Sequence, residues 1–259
     1  MSANTGTRRR LAPHAVPVAV AAAVVAAWLL ALVADVGGGQ ALFNHDALAH
    51  SGRPLWAALG LFLLSWQVMI AAMMLPSSVP MVLLFGDVSA AQQRHGGVMA
   101  AFLGGYALVW SAFGAVAFLG DQVLHRVVDA TPWLDERPWL IMGGVLVMAG
   151  AFQFSPLKER CLNECRHPAQ FMFRRYRRGV GAAFRLGRGH GLFCLGCCWA
   201  LMLVMFAAGV GDFSLMALLA VLMVSEKAGR RGPRVARLAG VALLAFGVLT
   251  VSLGAMSPR

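Results

Sequence analysis

Five cysteines lie in two short groups, and their type and spacing suit metal chemistry. Cys161 and Cys165 are four residues apart, so on a helix their thiols share one face. Cys194, Cys197 and Cys198 lie within about one helical turn. Thiolates bind soft ions such as Cu(I) and Zn(II), and they also carry out thiol–disulfide exchange. The clustering favours metal ligation, with structural cysteines and thiol redox chemistry as the alternatives.

Methionines add thioether sulfur to both ends of this pattern. Met202 follows Cys198 by four residues, and Met73 and Met74 are adjacent in an earlier apolar stretch. Thioethers favour Cu(I), whereas zinc sites use Cys, His and carboxylate ligands. The sequence therefore predicts a metal ion as cofactor, Cu(I) first and Zn(II) second, bound by the five cysteines and these three methionines. The reserve ligands are His167, His190 and Glu226.

Two prolines follow Met73 and Met74. Pro76 has no N–H, so the carbonyl of Ala72 loses its helical partner, and Pro80 has the same effect on the carbonyl of Pro76. Freed backbone at membrane depth must be satisfied by protein or by a water-filled cavity. The pattern is consistent with a kink in a helix and also with an unwound substrate-binding segment of a transporter.

The elements that position these residues are apolar and long. Of the 259 residues, 59% are apolar and 13% are charged, whereas a soluble domain is about 25% charged. A bilayer-spanning helix needs about 20 apolar residues. Six stretches of that length contain no Asp, Glu, Lys or Arg, namely 11–34, 54–86, 95–120, 138–157, 189–211 and 238–258. These stretches exclude a soluble enzyme, a disordered chain, a secreted disulfide scaffold and an outer-membrane barrel.

The sequence thus predicts an all-α polytopic transmembrane helical bundle. We expect a single integral membrane domain over residues 1–259 with about seven spans, of which the sixth, 213–225, is the shortest. With the N-terminus inside and the C-terminus outside, 18 of the 22 Lys and Arg residues lie in inside segments and 4 in outside segments, as the positive-inside rule requires. A basic cytoplasmic loop is expected at 157–190. These loops account for the net charge of +11 without a nucleic-acid partner.

The same topology brings the sulfur-bearing segments to one membrane face. Met73 lies deep in the second span, Cys194 begins the fifth, Cys165 follows the fourth, and Glu226 ends the sixth. All four positions fall near the cytoplasmic boundary. We therefore expect the two cysteine groups to form one shared metal site there.

Three motifs within residues 56–228 carry a family resemblance. They are Ala72-Met73-Met74-Leu75-Pro76-Ser77, Cys161-Leu162 with Cys165-Arg166-His167-Pro168, and Cys194-Leu195-Gly196-Cys197-Cys198-Trp199-Ala200-Leu201-Met202. In these segments the chain resembles the bacterial family of uncharacterised, predicted metal-binding integral membrane proteins. The resemblance implies a multi-pass protein of the bacterial inner membrane with a metal site.

The leading hypothesis is a membrane protein that binds or hands over a soft metal ion at the cytoplasmic face. Its expected partners are the lipid bilayer and a metal-donor or metal-acceptor protein. The sequence identifies no catalytic residue, so an enzyme is disfavoured. One alternative is a membrane thiol–disulfide redox protein, although cytoplasmic thiols stay reduced. The other is a transporter with a broken second span.

Overall fold

The computed structural model describes residues 15–37, 52–208 and 212–256. All regular secondary structure in these ranges is helical, so the all-α prediction is confirmed for them. In chain order the helices are α1 (Ala15–Val36), α2 (Leu55–Ser89), α3 (His95–Asp129), α4 (Pro132–Asp135), α5 (Pro138–Phe152), α6 (Pro156–Arg166), α7 (Pro168–Arg175), α8 (Val180–Ala208), α9 (Phe213–Ala228) and α10 (Gly232–Met256).

Five of these helices, α1, α2, α3, α8 and α10, are long and apolar enough to cross a membrane. Taken together, α5 and α6 are also long and apolar enough to cross a membrane, but they are bent by 64° at their junction. Helix α9 has 16 residues, fewer than the roughly 20 that a perpendicular crossing needs. A polytopic helical protein is therefore supported. The expected seven spans are not confirmed, because the described residues provide five, or six if the bent pair is one span.

Helices α2 and α8 occupy the centre of the bundle, and α1 and α10 lie at its periphery. In their most apolar stretches, 56% of the residues are buried in α2 and α8, against 11% in α1 and α10. Both peripheral helices expose large apolar side chains, including Leu29 and Val33 on α1 and Leu249 and Leu253 on α10. Such exposure is typical of helices that face lipid, since lipid chains are as apolar as these side chains.

Helices α3 and α8 touch backbone to backbone. A Cβ atom at Gly187 of α8 would overlap the carbonyl oxygen of Phe102, and one at Gly105 of α3 would overlap the carbonyl oxygen of Phe184. Small residues permit this close approach of two helices in a membrane. The contact fixes the position of α8, the helix that carries three of the cysteines.

Helix α2 passes through two separate buried clusters. We call the first the thiol core; its buried sulfur-containing residues are Met69, Met73, Met74, Cys161, Cys194, Cys197, Cys198, Met202, Met205, Met216 and Met223. We call the second the aromatic core; its buried residues are Val20, Met81, Val82, Phe85, Val98, Met99, Phe102, Phe171, Met172, Ala183 and Leu186.

Helix α2 remains continuous through Pro76 and Pro80. The indole Nε1 of Trp28 on α1 donates a hydrogen bond of 3.0 Å to the carbonyl oxygen of Ala72, the group that Pro76 leaves without its helical donor. A side chain from a neighbouring helix thus satisfies the freed carbonyl of Ala72. The interpretation of this segment as an unwound substrate-binding region, and with it the broken second span, is therefore corrected.

Candidate metal centre

Three thiols project from one turn of α8 into the thiol core. Cys194, Cys197 and Cys198 are each at most 1% exposed. The Sγ atoms of Cys197 and Cys198 donate hydrogen bonds to the carbonyl oxygen of Cys194, at 3.1 and 2.8 Å. These bonds to the preceding turn hold both sulfurs against the helix backbone. Three sulfur atoms are thereby concentrated in a small buried volume.

Helix α6 brings the other two cysteines to the same place. It begins at a proline after Ser155, whose Oγ caps the helix by accepting a bond of 3.1 Å from the backbone N–H of Lys158. The sulfur of Cys161 packs against Gly196 of α8, where a Cβ atom would collide with it. The thiol of Cys165 lies next to that of Cys197 and interacts with it. The structure therefore places the two cysteine groups side by side.

The five cysteines differ in exposure. All are free thiols; Cys165 is half-buried, and the other four are buried.

The predicted methionine ligands also lie in the thiol core. The Sδ atom of Met74 is 3.7 Å from the Sγ atom of Cys198. Met73 and Met202 are fully buried in the same cluster. Met74 therefore makes the direct sulfur–sulfur contact, and its neighbours Met73 and Met202 add soft, polarisable surface around it.

A buried lysine inside the thiol core was not selected by the sequence analysis. Lys227, near the end of α9, is 5% exposed. Its Nζ donates to Ser77 Oγ at 3.0 Å and to Cys194 Sγ at 3.1 Å, and it lies 4.0 Å from Cys198 Sγ. The sequence signal was weak, because Lys227 lies in the last turn of an apolar helix, where a lysine usually extends its amine toward water.

Hydroxyl groups complete the surroundings of Cys194. The hydroxyl of Tyr106 on α3 is 3.1 Å from Cys194 Sγ, and Ser78 Oγ donates to that hydroxyl at 3.3 Å. Cys194 is therefore in contact with a phenol from one side and an ammonium group from another. Both groups can donate a hydrogen bond to a thiolate, which would stabilise its charge.

Glu226, a predicted reserve ligand, is engaged in an ion pair. Its Oε2 atom is 2.6 Å from the Nζ of Lys158, and both side chains are 1% exposed. Arg166 donates to the backbone carbonyl oxygens of Glu226 and Gly229, at 2.6 and 2.9 Å. These contacts hold the cysteine-bearing helix α6 against the end of α9. Glu226 therefore has a structural role beside the thiol core.

The two predicted reserve histidines lie apart from the thiol contacts. His190 is 4% exposed and stacks on Tyr106, with ring centroids 5.6 Å apart. Its Nε2 has no hydrogen-bond partner among the described residues. His167 is exposed, and its Nδ1 is paired with the carbonyl oxygen of Asn163 at 2.8 Å.

The described residues do not form a conventional metal site, in which three or more side chains coordinate one ion. No group of three or more His, Cys, Asp or Glu side chains in residues 15–37, 52–208 and 212–256 is arranged to hold an ion. A closed zinc site, which needs four such ligands in a tetrahedron, is therefore not formed in this arrangement. The thiol core is instead a set of neighbouring thiols and thioethers, which is the donor chemistry that suits Cu(I).

The comparison with protein families agrees with this donor chemistry. A family model, PpoB2, described as a copper chaperone, matches residues 63–250. No curated protein and no solved structure matches the chain. The matched segment runs from α2 to α10 and contains the whole sulfur cluster and its buried lysine. With most of its length covered by that model, this chain belongs to the PpoB2 family of copper chaperones.

Proposed function

We propose that the protein binds Cu(I) as cargo in the thiol core, at the cytoplasmic face of the membrane, and exchanges it with a partner protein. The observation that carries this proposal is the meeting of α2, α6 and α8. Helix α2 is distant in sequence from α6 and α8, yet the three helices bring soft sulfur atoms together around one buried ammonium group. Membership of a copper chaperone family and the long apolar helices support the same conclusion.

The central donors in this proposal are Cys194, Cys198 and Met74. Cys198 Sγ contacts Met74 Sδ at 3.7 Å, and both cysteines contact Lys227. Cu(I) is well served by thiolate and thioether ligands. The remaining predicted ligands, Cys161, Cys165, Cys197, Met73 and Met202, surround this group and give the ion alternative sulfur partners.

Lys227 balances the net negative charge of such a site. Two thiolates with one Cu(I) ion carry a net charge of about −1, and an unpaired charge is costly to bury in an apolar interior. The ammonium group of Lys227 brings that charge to zero. Its contact with Cys194 at 3.1 Å places this compensation at the sulfur itself.

Cys165 gives the ion a route into and out of the cluster. As a residue it is half-buried, whereas the other four cysteines are buried, and its thiol interacts with that of Cys197. Cu(I) moves between proteins when thiols of the donor and the acceptor replace one another as ligands. In our proposal the partner's thiol exchanges with Cys165, and Cys197 then connects the ion to Cys194 and Cys198.

The orientation is inferred from charge. The segment 157–190, which includes α6 and α7, is strongly basic and is therefore placed in the cytoplasm. Thiols remain reduced in that compartment, which favours metal exchange over the thiol–disulfide alternative. A reporter fused after Arg178 is expected to read as cytoplasmic, and a periplasmic reading would contradict the orientation.

The test is the metal content of purified protein loaded with Cu(I) under reducing conditions. We expect the wild type to retain copper, Cys198→Ser to lose most of it, and the variant with all five cysteines changed to serine to lose it all. Helix content and elution volume show whether each variant is folded. The proposal would be contradicted if the folded five-serine variant retained the wild-type amount of copper.

A further inference from the structure

We propose a second binding site, for a phosphate-bearing anion, at the bend between α5 and α6. A cavity of about 590 Å³ lies there, closed on one side by the beginning of α10. Its volume is within the usual range for small-ligand sites, about 300–1,000 Å³. Its lining includes Gln153, Lys158, Glu159, Arg160, Arg166 and Arg237. It is separate from the sulfur contacts, and the proposal does not depend on copper binding.

The charge of the lining favours an anion. Four of its side chains are cationic, and Glu159 is its acidic residue. Lys158 and Arg166 are occupied by their contacts with Glu226. Arg160 and Arg237 make no ion pair or hydrogen bond with any other described residue, so two guanidinium groups are available. A guanidinium can bind a phosphate through two parallel hydrogen bonds.

A buried amide in the same cavity also lacks a partner. Gln153 is 6% exposed, and neither its Nε2 nor its Oε1 is hydrogen-bonded to another described residue. Leaving a buried amide unpaired costs about 1–3 kcal/mol, so such groups normally have a partner. A phosphate oxygen accepting from Nε2 would supply it. This observation is independent of the arginines and points to a bound ligand.

The position of the cavity favours a phospholipid headgroup over free phosphate. It lies where the apolar helix α5 meets the basic helix α6, at the proposed cytoplasmic boundary. Phe154 in its lining and the adjacent Leu157 are about half exposed, at 50% and 54%. These side chains could contact an acyl chain while the arginines bind the headgroup. Basic pockets between membrane helices bind anionic lipid headgroups in this way.

The experiment compares two double variants of the full-length protein. Arg160→Gln with Arg237→Gln removes two charges from the cavity. Arg178→Gln with Arg234→Gln removes two exposed charges from residues outside its lining, and Arg234 is only three positions from Arg237. Binding of phosphatidylglycerol is measured by native mass spectrometry, with phosphatidylcholine as the zwitterionic comparison. Inorganic phosphate is titrated separately by thermal shift.

We expect the cavity variant to lose at least tenfold in affinity and the control variant less than twofold. Gln153→Leu, which changes no charge, is expected to weaken binding severalfold while the protein stays folded. Saturable binding of phosphatidylglycerol identifies a lipid site, and saturable binding of phosphate alone identifies a soluble anion. The site would be refuted by equal losses in the two double variants, or by the absence of saturable binding of both probes to the wild type.

Discussion

The thiol core and the aromatic core are both buried and both contain methionines of α2, yet they differ in chemistry. In the aromatic core, Phe85 and Phe102 stack with ring centroids 4.4 Å apart, and Met81 fills space beside them. In the thiol core, Met74 contacts a thiol that lies next to a buried ammonium group. Buried methionine is therefore not a sign of a metal site by itself. The informative feature is sulfur together with a charge that apolar packing does not require.

This difference has an energetic basis. Methionine is a common filler of irregular cores because it is flexible and apolar. A buried lysine is costly unless it is paired. Lys227 contacts two thiols and a serine hydroxyl. Negative charge on these sulfurs would offset the cost of burying its ammonium group. At the aromatic core, the guanidinium of Arg175 lies over the ring of Phe171, 4.5 Å from its centroid, but it is exposed rather than buried.

Of the substitutions considered, Lys227→Met is expected to lower the affinity for Cu(I) most. This change removes the positive charge but keeps an apolar chain of similar length. A hydrogen bond to a charged group contributes about 1.5–3 kcal/mol, so Cu(I) affinity should fall by about 10- to 100-fold. A competition titration against a Cu(I) chelator measures it. The control is Arg230→Met, which removes an exposed charge on the same side of the bundle; equal losses in both variants would show that Lys227 acts only through general charge.

A smaller effect is expected from replacing one methionine in each core. Met74→Leu removes the thioether near Cys198, whereas Met81→Leu makes the same change on the same helix in the aromatic core. We expect Cu(I) affinity to fall severalfold in the first variant and to stay unchanged in the second. Zn(II) binding should be less affected by either, because zinc sites rarely use thioethers. Equal Cu(I) affinities of the two variants would remove the proposed distinction between the cores.

The smallest effect concerns the backbone of α2 at the thiol core. Trp28→Phe removes the indole that donates to the Ala72 carbonyl. An unsatisfied buried acceptor costs about 1–3 kcal/mol, so we expect a loss of stability of about 1 kcal/mol, seen as a lower midpoint of thermal unfolding. Trp56→Phe, at a tryptophan that is 77% exposed, should leave the midpoint unchanged. If both variants unfold at the same temperature, the indole bond does not stabilise α2.

Sequence patterns anticipated the helical class and the convergence of the cysteine segments, because both follow from apolar length and from the side on which basic residues lie. The bend between α5 and α6 was missed, although Ser155 followed by a proline is a recognisable helix start. The role of Lys227 was harder to foresee. A lysine at the end of an apolar segment usually extends toward water, and only the packing of α9 against α2 shows that this one points inward. Similarly, the carbonyl oxygen of Ala72 in α2 accepts from Trp28, a residue 44 positions away, which no local pattern indicates.

The backbone contact between α3 and α8 determines which parts of the protein can move when copper is exchanged. Gly105 faces the backbone of α8 at Phe184, and Gly187 faces the backbone of α3 at Phe102, so at both positions no side chain lies between the two helices to rearrange and let them slide. Cys194, Cys197 and Cys198 therefore belong to a rigid unit. On the other side of the cluster, α6 and α9 are joined by the Lys158–Glu226 pair and carry Cys165 and Lys227, so a movement of these two helices would displace both residues at once. A thiol and the balancing charge would thus leave or enter the cluster together.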